Sequence, residues 1–185
     1  MSGAPLTSHP RLTAGPYVFP VYGANSYGDT YGAFRSDENF HHGDDIFGSP
    51  GQPLLAVSDG TLFGVGWNRT GGFRLWLQDA QGNEFYYAHL SAYSLLAVNG
   101  AHVKAGQIVG LMGQTGDAEG TPTHLHFEIH PVSLLHLGYD GAVDPTAYLD
   151  GWVRAKAVPF PLIGTWTPTI PGTNRPPLPG AFLLP

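Results

Sequence analysis

The chain has no cysteine among its 185 residues. This excludes thiolate metal sites, cysteine nucleophiles and a disulfide scaffold, so any metal must sit on nitrogen and oxygen donors. Charge is also scarce, with 8 Lys and Arg against 14 Asp and Glu for a formal net charge of −6, and the basic residues do not cluster. The cationic face that grips phosphate backbones or anionic membranes is therefore lacking, and neither nucleic acid nor a membrane is expected as a partner. No apolar run approaches the roughly 20 residues of a membrane-spanning helix. The opening Met1-Ser2-Gly3-Ala4-Pro5 has neither the basic nor the apolar region of a secretory signal. Sustained 3.6-residue periodicity is missing too, which argues against long amphipathic helices.

Glycine (26) and proline (17), by contrast, are plentiful. They punctuate short runs with strand character: Pro53 to Ser58, Thr61 to Trp67, Phe73 to Gln78, Glu84 to Leu90, Gln107 to Met112 and Thr123 to His130. Between them lie turn signals such as Asp59-Gly60, Gly71-Gly72, Gln81-Gly82-Asn83 and Asn99-Gly100. The pattern predicts a mainly β protein, a compact antiparallel β-sheet domain with few or no helices. The length suits one domain with its own core. We place it at residues 16–156, after a loose arm over 1–15 and before an irregular tail over 157–185 that holds eight of the 17 prolines. The Gly-, Tyr- and Asp-rich stretch from Tyr22 to Asn39 reads as a long loop that walls a binding groove, and Asp144 to Leu149 as the start of a short helix or the end of the last strand.

Three histidine-bearing segments carry the chemistry. Thr123-His124-Leu125-His126-Phe127-Glu128-Ile129 alternates polar and apolar residues, so in a strand His124 and His126 leave one face about 6 to 7 Å apart. One imidazole of such a pair suits a metal and its neighbour the metal's water. In Phe40-His41-His42-Gly43-Asp44-Asp45-Ile46, extended geometry puts His41 and Asp45 on one side and His42 and Asp44 on the other. Periodicity does not choose between these pairs. In Glu84 to Leu90, His89 shares a face with Phe85 and Tyr87, a setting more typical of a core or rim histidine than of a catalyst. Taken together, two His and one Asp with an open fourth position match a catalytic zinc site. No His-Glu-x-x-His helix is present to supply a glutamate base, which leaves that work to the spare histidines.

The ordered motifs resemble the lysostaphin-like (LytM-type) zinc metalloendopeptidases, which cleave peptides of bacterial peptidoglycan. They are His41-His42-Gly43-Asp44-Asp45-Ile46, Ser49-Pro50-Gly51-Gln52-Pro53, Tyr87-Ala88-His89-Leu90, Val103 to Gly110, Thr115-Gly116 and His124-Leu125-His126-Phe127-Glu128, spanning most of the chain. The resemblance implies a duplicated hybrid-motif β fold with an open groove. It implies one Zn2+ per chain on His41, Asp45 and His126, with His89 and His124 as the catalytic pair beside the water and substrate. His42 and Asp44 then point away. A peptidoglycan peptide is the implied partner, an extracytoplasmic place follows from that substrate, and the molecule is expected to be a monomer. Gly120-Thr121-Pro122-Thr123 departs from the family pattern before the His-Leu-His motif, and Asp117-Ala118-Glu119 is expected to alter the groove wall. A family tyrosine that steadies the transition state is not assignable among Tyr22, Tyr27 and Tyr31.

Two other readings are weighed. Relatives that have lost zinc ligands act as regulatory or peptidoglycan-binding modules, but here all five positions are filled. A carrier domain of the biotinyl type would share the turn at Val103 to Gln107 but would have no use for Asp45 beside His41. His9, His102, His130 and His136 are expected at the surface, and Trp67, Trp76, Tyr86 and Phe127 in sheet packing.

Overall fold

The computed structural model describes residues 4–35, 39–157 and 164–167. Its strands are β1 (Phe34–Arg35), β2 (Asn39–Phe40), β3 (Asp44–Phe47), β4 (Pro53–Leu55), β5 (Gly60–Asn68), β6 (Gly72–Asp79), β7 (Glu84–Ser94), β8 (His102–Val103), β9 (Ile108–Met112), β10 (His124–His130) and β11 (Thr165–Trp166). β1 and β2 form a small ribbon, and the other nine make one sheet whose strand pairs are all antiparallel. The main path runs β3-β10-β7-β6-β5-β8. The eleven-residue β7 is its hub. Its first half pairs with β10 and β6, and its second half with β9, which carries β4.

The six strand runs read from the sequence all appear. β10 alternates as expected, with Leu125, Phe127 and Ile129 fully buried among Phe85, Tyr87, Leu75 and Leu77. Complete burial of each such side chain is worth about 1.5–3 kcal/mol, and this seats the opposite, histidine-bearing face at a fixed height. The β6–β7 turn is tied by Asp79. Its carboxylate accepts from the backbone N–H of Gln81 and Asn83 and from the buried Tyr17 hydroxyl at 2.7 Å.

Helix is sparse: a six-residue α1 (Thr146–Gly151) and 3-10 turns at Gly116–Ala118 and Val132–Gly141. α1 lies where Asp144 to Leu149 suggested one. Residues 4–15, expected as a loose arm, instead lie against the domain. Leu6 bridges to Val143, Thr13 N–H donates to Gln81, and the Pro10 carbonyl accepts from Tyr148. Of the expected tail, only 157 and 164–167 are among the described residues, and Thr165–Trp166 pairs with the end of β7.

Candidate metal centre

The β3–β10 register sets Asp45 directly opposite His126, so both side chains emerge on the polar face. His41 lies four residues before Asp45, and the chain between them runs hard against β10. A Cβ at Gly43 would sit 2.2 Å from the Phe127 carbonyl oxygen, which is why glycine is needed there. As a result three donor atoms converge. His41 Nε2 is 2.8 Å from His126 Nδ1, and each is 3.2 Å from Asp45 Oδ1. Tetrahedral zinc with bonds of about 2.0–2.1 Å separates its ligand atoms by about 3.3 Å, so this triangle has the right size and donor chemistry for such an ion.

Each site histidine has one ring nitrogen held by a group that can only accept. His41 Nδ1 donates to the Thr30 carbonyl (3.0 Å), His89 Nδ1 to the Thr115 carbonyl (2.8 Å) and His124 Nδ1 to the Pro122 carbonyl (2.8 Å). His126 Nε2 faces the Glu128 carboxylate at 2.8 Å. The opposite nitrogen of each ring is thereby left to serve the site as an acceptor. Thr30 does further work: its N–H donates to Asp44 and its hydroxyl accepts from the Asp45 N–H. The long loop therefore holds His41 and Asp45 from outside the cluster, and its Phe34 and Arg35 also line the groove.

Charge is concentrated here. Burial opposes ionisation of Asp45, but the imidazoles of His126 and His41 beside its carboxylate outweigh it and hold its carboxyl well below the usual range. Burial likewise opposes charge on His126, yet Asp45 and Glu128 on either side push it up to about 10. The His89 imidazole is pushed down to about 3, first by burial and then by the charge of the neighbouring His126 whenever that ring is protonated. Negative charge from Asp45 and Glu128 is thus gathered on both sides of His126, while His89 beside it favours neutrality.

His89 reaches the site by a route that strict alternation does not foresee. Alternation would send it into the core with Phe85 and Tyr87. Its φ of 65° is instead the one positive value among described non-glycine residues. The twist breaks the alternation between Ala88 and Leu90, so that His89 lines the groove while Leu90 returns to the core. Its ring centroid lies 4.9 Å from that of His124, whose Nε2 is 3.8 Å from Asp45 Oδ1. All five sequence-predicted site residues therefore meet in one groove of about 940 Å³.

Several expectations are corrected. His130 is not a surface residue: it is 2% exposed and its Nε2 lies 2.6 Å from Glu128. Trp76 and Tyr86 do more than pack the sheet, since both line the groove. Tyr22, Tyr27 and Tyr31 are absent from its lining. Tyr27 donates to Asp150 and Tyr31 to the Ala142 carbonyl. Tyr139, from the 3-10 segment, does line it, and the sequence reading missed both Tyr139 and Glu128. As expected, Asp117 and Ala118 form part of the wall, and His42 and Asp44 face away from the cluster. His42 stacks on Phe40, and Asp44 accepts from Thr30 and Thr146.

Comparison with known proteins gives a consistent picture. Peptidase family M23 matches residues 39–145. An L-Ala–D-Glu endopeptidase of Bacillus subtilis is 30% identical over 153 residues, which is 79% of this chain and 46% of that protein. The catalytic domain of the antimicrobial peptidase lysostaphin from Staphylococcus simulans superposes with a TM-score of 0.59 at 34% identity, covering 69% of this chain and 93% of that one. A zinc-containing peptidase from Vibrio cholerae superposes with a TM-score of 0.52 at 28% identity, covering 60% and 35%. The chain spans less than half the length of the curated relatives it matches.

Proposed function

Because this chain belongs to peptidase family M23, we propose that it is a zinc-dependent endopeptidase that hydrolyses peptide bonds of bacterial peptidoglycan outside the cytoplasm. The observation that carries this reading is the convergence of His41 Nε2, His126 Nδ1 and Asp45 Oδ1 beside two further imidazoles in an open groove. A zinc ion held by these three residues would supply Lewis acidity toward a carbonyl and lower the pKa of water from 15.7 toward about 7.

The chain's own groups supply the rest. Thr30 holds His41 in the tautomer whose Nε2 lone pair faces the cluster, and Arg35 holds Asp45 through Oδ2 at 3.1 Å so that Oδ1 faces it. His89 and His124, each with Nδ1–H spent on a carbonyl, keep Nε2 as proton acceptor. One of them takes a proton from the attacking water, and the proton then passes to the departing amine as the C–N bond breaks. The backbone carbonyls that fix these rings keep both nitrogens aimed without help from substrate. The groove admits an extended peptide, and the protein acts as a monomer with one zinc.

The reading is tested by digesting purified peptidoglycans of the glycine-bridged and directly cross-linked kinds. Released amino groups are counted and the cut bond is identified by mass spectrometry. Wild type should free amines from at least one kind, and His124→Ala should lower kcat by about 10²–10⁴-fold while retaining zinc. No release from either kind by zinc-loaded wild type would refute the assignment.

A further inference from the structure

Glu128 is fully buried, yet it is an acid two residues beyond His126 on the same face of β10. Its carboxylate accepts from three donors: His126 Nε2 (2.8 Å) and the Tyr139 hydroxyl (2.6 Å) on Oε1, and His130 Nε2 (2.6 Å) on Oε2. We propose that Glu128 is a positioning residue of the metal centre, which fixes the ring of His126 with Nδ1 facing His41 and Asp45, and is itself held by Tyr139 and His130. This rests on the metal reading given above.

Two observations favour this role over simple core filling. First, His41, His89 and His124 each spend their outer N–H on a neutral backbone carbonyl, and His126 alone spends it on a charged carboxylate. A carbonyl would be enough to choose a tautomer. A carboxylate also makes the imidazole a stronger donor and adds a second negative charge on the far side of His126 from Asp45, which suits a dication. Second, the supports of Glu128 come from separate parts of the fold. Tyr139 belongs to the 3-10 segment Val132–Gly141, is 41% exposed, lines the groove and packs on His42 and His130. His130 is braced edge-on by Trp76 of β6 at 5.0 Å. A buried carboxylate without such donors would be strongly disfavoured, so its retention with three of them marks a site built around His126.

The test is zinc affinity, measured by chelator competition on wild type, Glu128→Gln and Tyr139→Phe, with circular dichroism and melting of the metal-free proteins alongside. Glu128→Gln should bind zinc 10- to 100-fold more weakly while its metal-free form still melts cooperatively, and Tyr139→Phe should weaken binding in the same direction by less. In zinc-loaded wild type the His126 Nε2 proton should be slow to exchange by nitrogen-detected NMR, and that signal should be lost or shifted in Glu128→Gln. A folded Glu128→Gln with wild-type zinc affinity and an unchanged His126 signal overturns the proposal. If Glu128→Gln does not fold, Tyr139→Phe decides, and undiminished affinity in it overturns the proposal. Wild type that takes up no zinc overturns the metal reading itself, whereas wild type that binds zinc beside an indifferent Glu128→Gln overturns only the role of Glu128.

Discussion

His89 shows how a single residue converts a regular strand into a site. Its left-handed backbone is a conformation that a side chain with a Cβ adopts at a cost of about 1–3 kcal/mol, and the N–H of His89 is fastened to the Gly71 carbonyl at 2.8 Å to hold it. We predict that His89→Gly is more stable than His89→Ala by about 1 kcal/mol in urea denaturation, because glycine adopts this φ freely, while both lose hydrolysis. Equal stabilities would mean that the site stores no backbone strain at this position. This is also where the sequence was least legible. Alternation placed His89 with Phe85 and Tyr87, and no periodic reading shows where a strand will twist. The choice of His41 over His42 was equally closed to spacing. In the structure it follows from the tight pass of Gly43 over β10, a contact between segments more than eighty residues apart.

At the scale of elements, β3 and β10 bring Asp45 and His126 together by register, so whatever separates them should dismantle the candidate metal cluster. Gly43→Ala puts a methyl into the Phe127 carbonyl and should cost about 1–3 kcal/mol. It should also weaken zinc binding, although it removes no ligand. Wild-type zinc affinity in Gly43→Ala would show that the close pass does not set the site. The β6–β7 turn lies away from the metal centre and offers a contrast. Asp79→Ala strands the N–H groups of Gln81 and Asn83 and the Tyr17 hydroxyl, and should lower unfolding stability by about 2–4 kcal/mol with zinc affinity unchanged. A loss below half a kcal/mol would show that water replaces those bonds. The strands themselves were plain in the sequence because β10 and β6 alternate, and because Gly82 and Asn83 mark the turn from β6 into β7. The segment Val132–Gly141 was not, since its short 3-10 turns bury only Gly141 and carry no periodic apolar stripe. Tyr139 came with it, and so the partner of Glu128 was hidden as well.

At the scale of the whole molecule, the core and the metal centre are built on opposite faces of the same strands. Phe127 and Ile129 anchor β10 from below while His126, Glu128 and His130 occupy its other face. We therefore predict that the fold does not depend on a bound ion. Chelation should abolish hydrolysis with little change in far-ultraviolet circular dichroism, and added zinc should restore it. Collapse of the β signal on chelation would contradict this separation. Among the described residues no helix is long and apolar enough to cross a membrane.

The proposed hydrolysis needs His126 as a ligand and His124 as a proton carrier, two residues apart on one strand. Zinc content after metal loading, measured by elemental analysis on wild type, His126→Ala and His124→Ala, separates them. We predict about one zinc per chain in wild type and in His124→Ala, and little or none in His126→Ala. Full zinc in His126→Ala, or none in wild type, would contradict it.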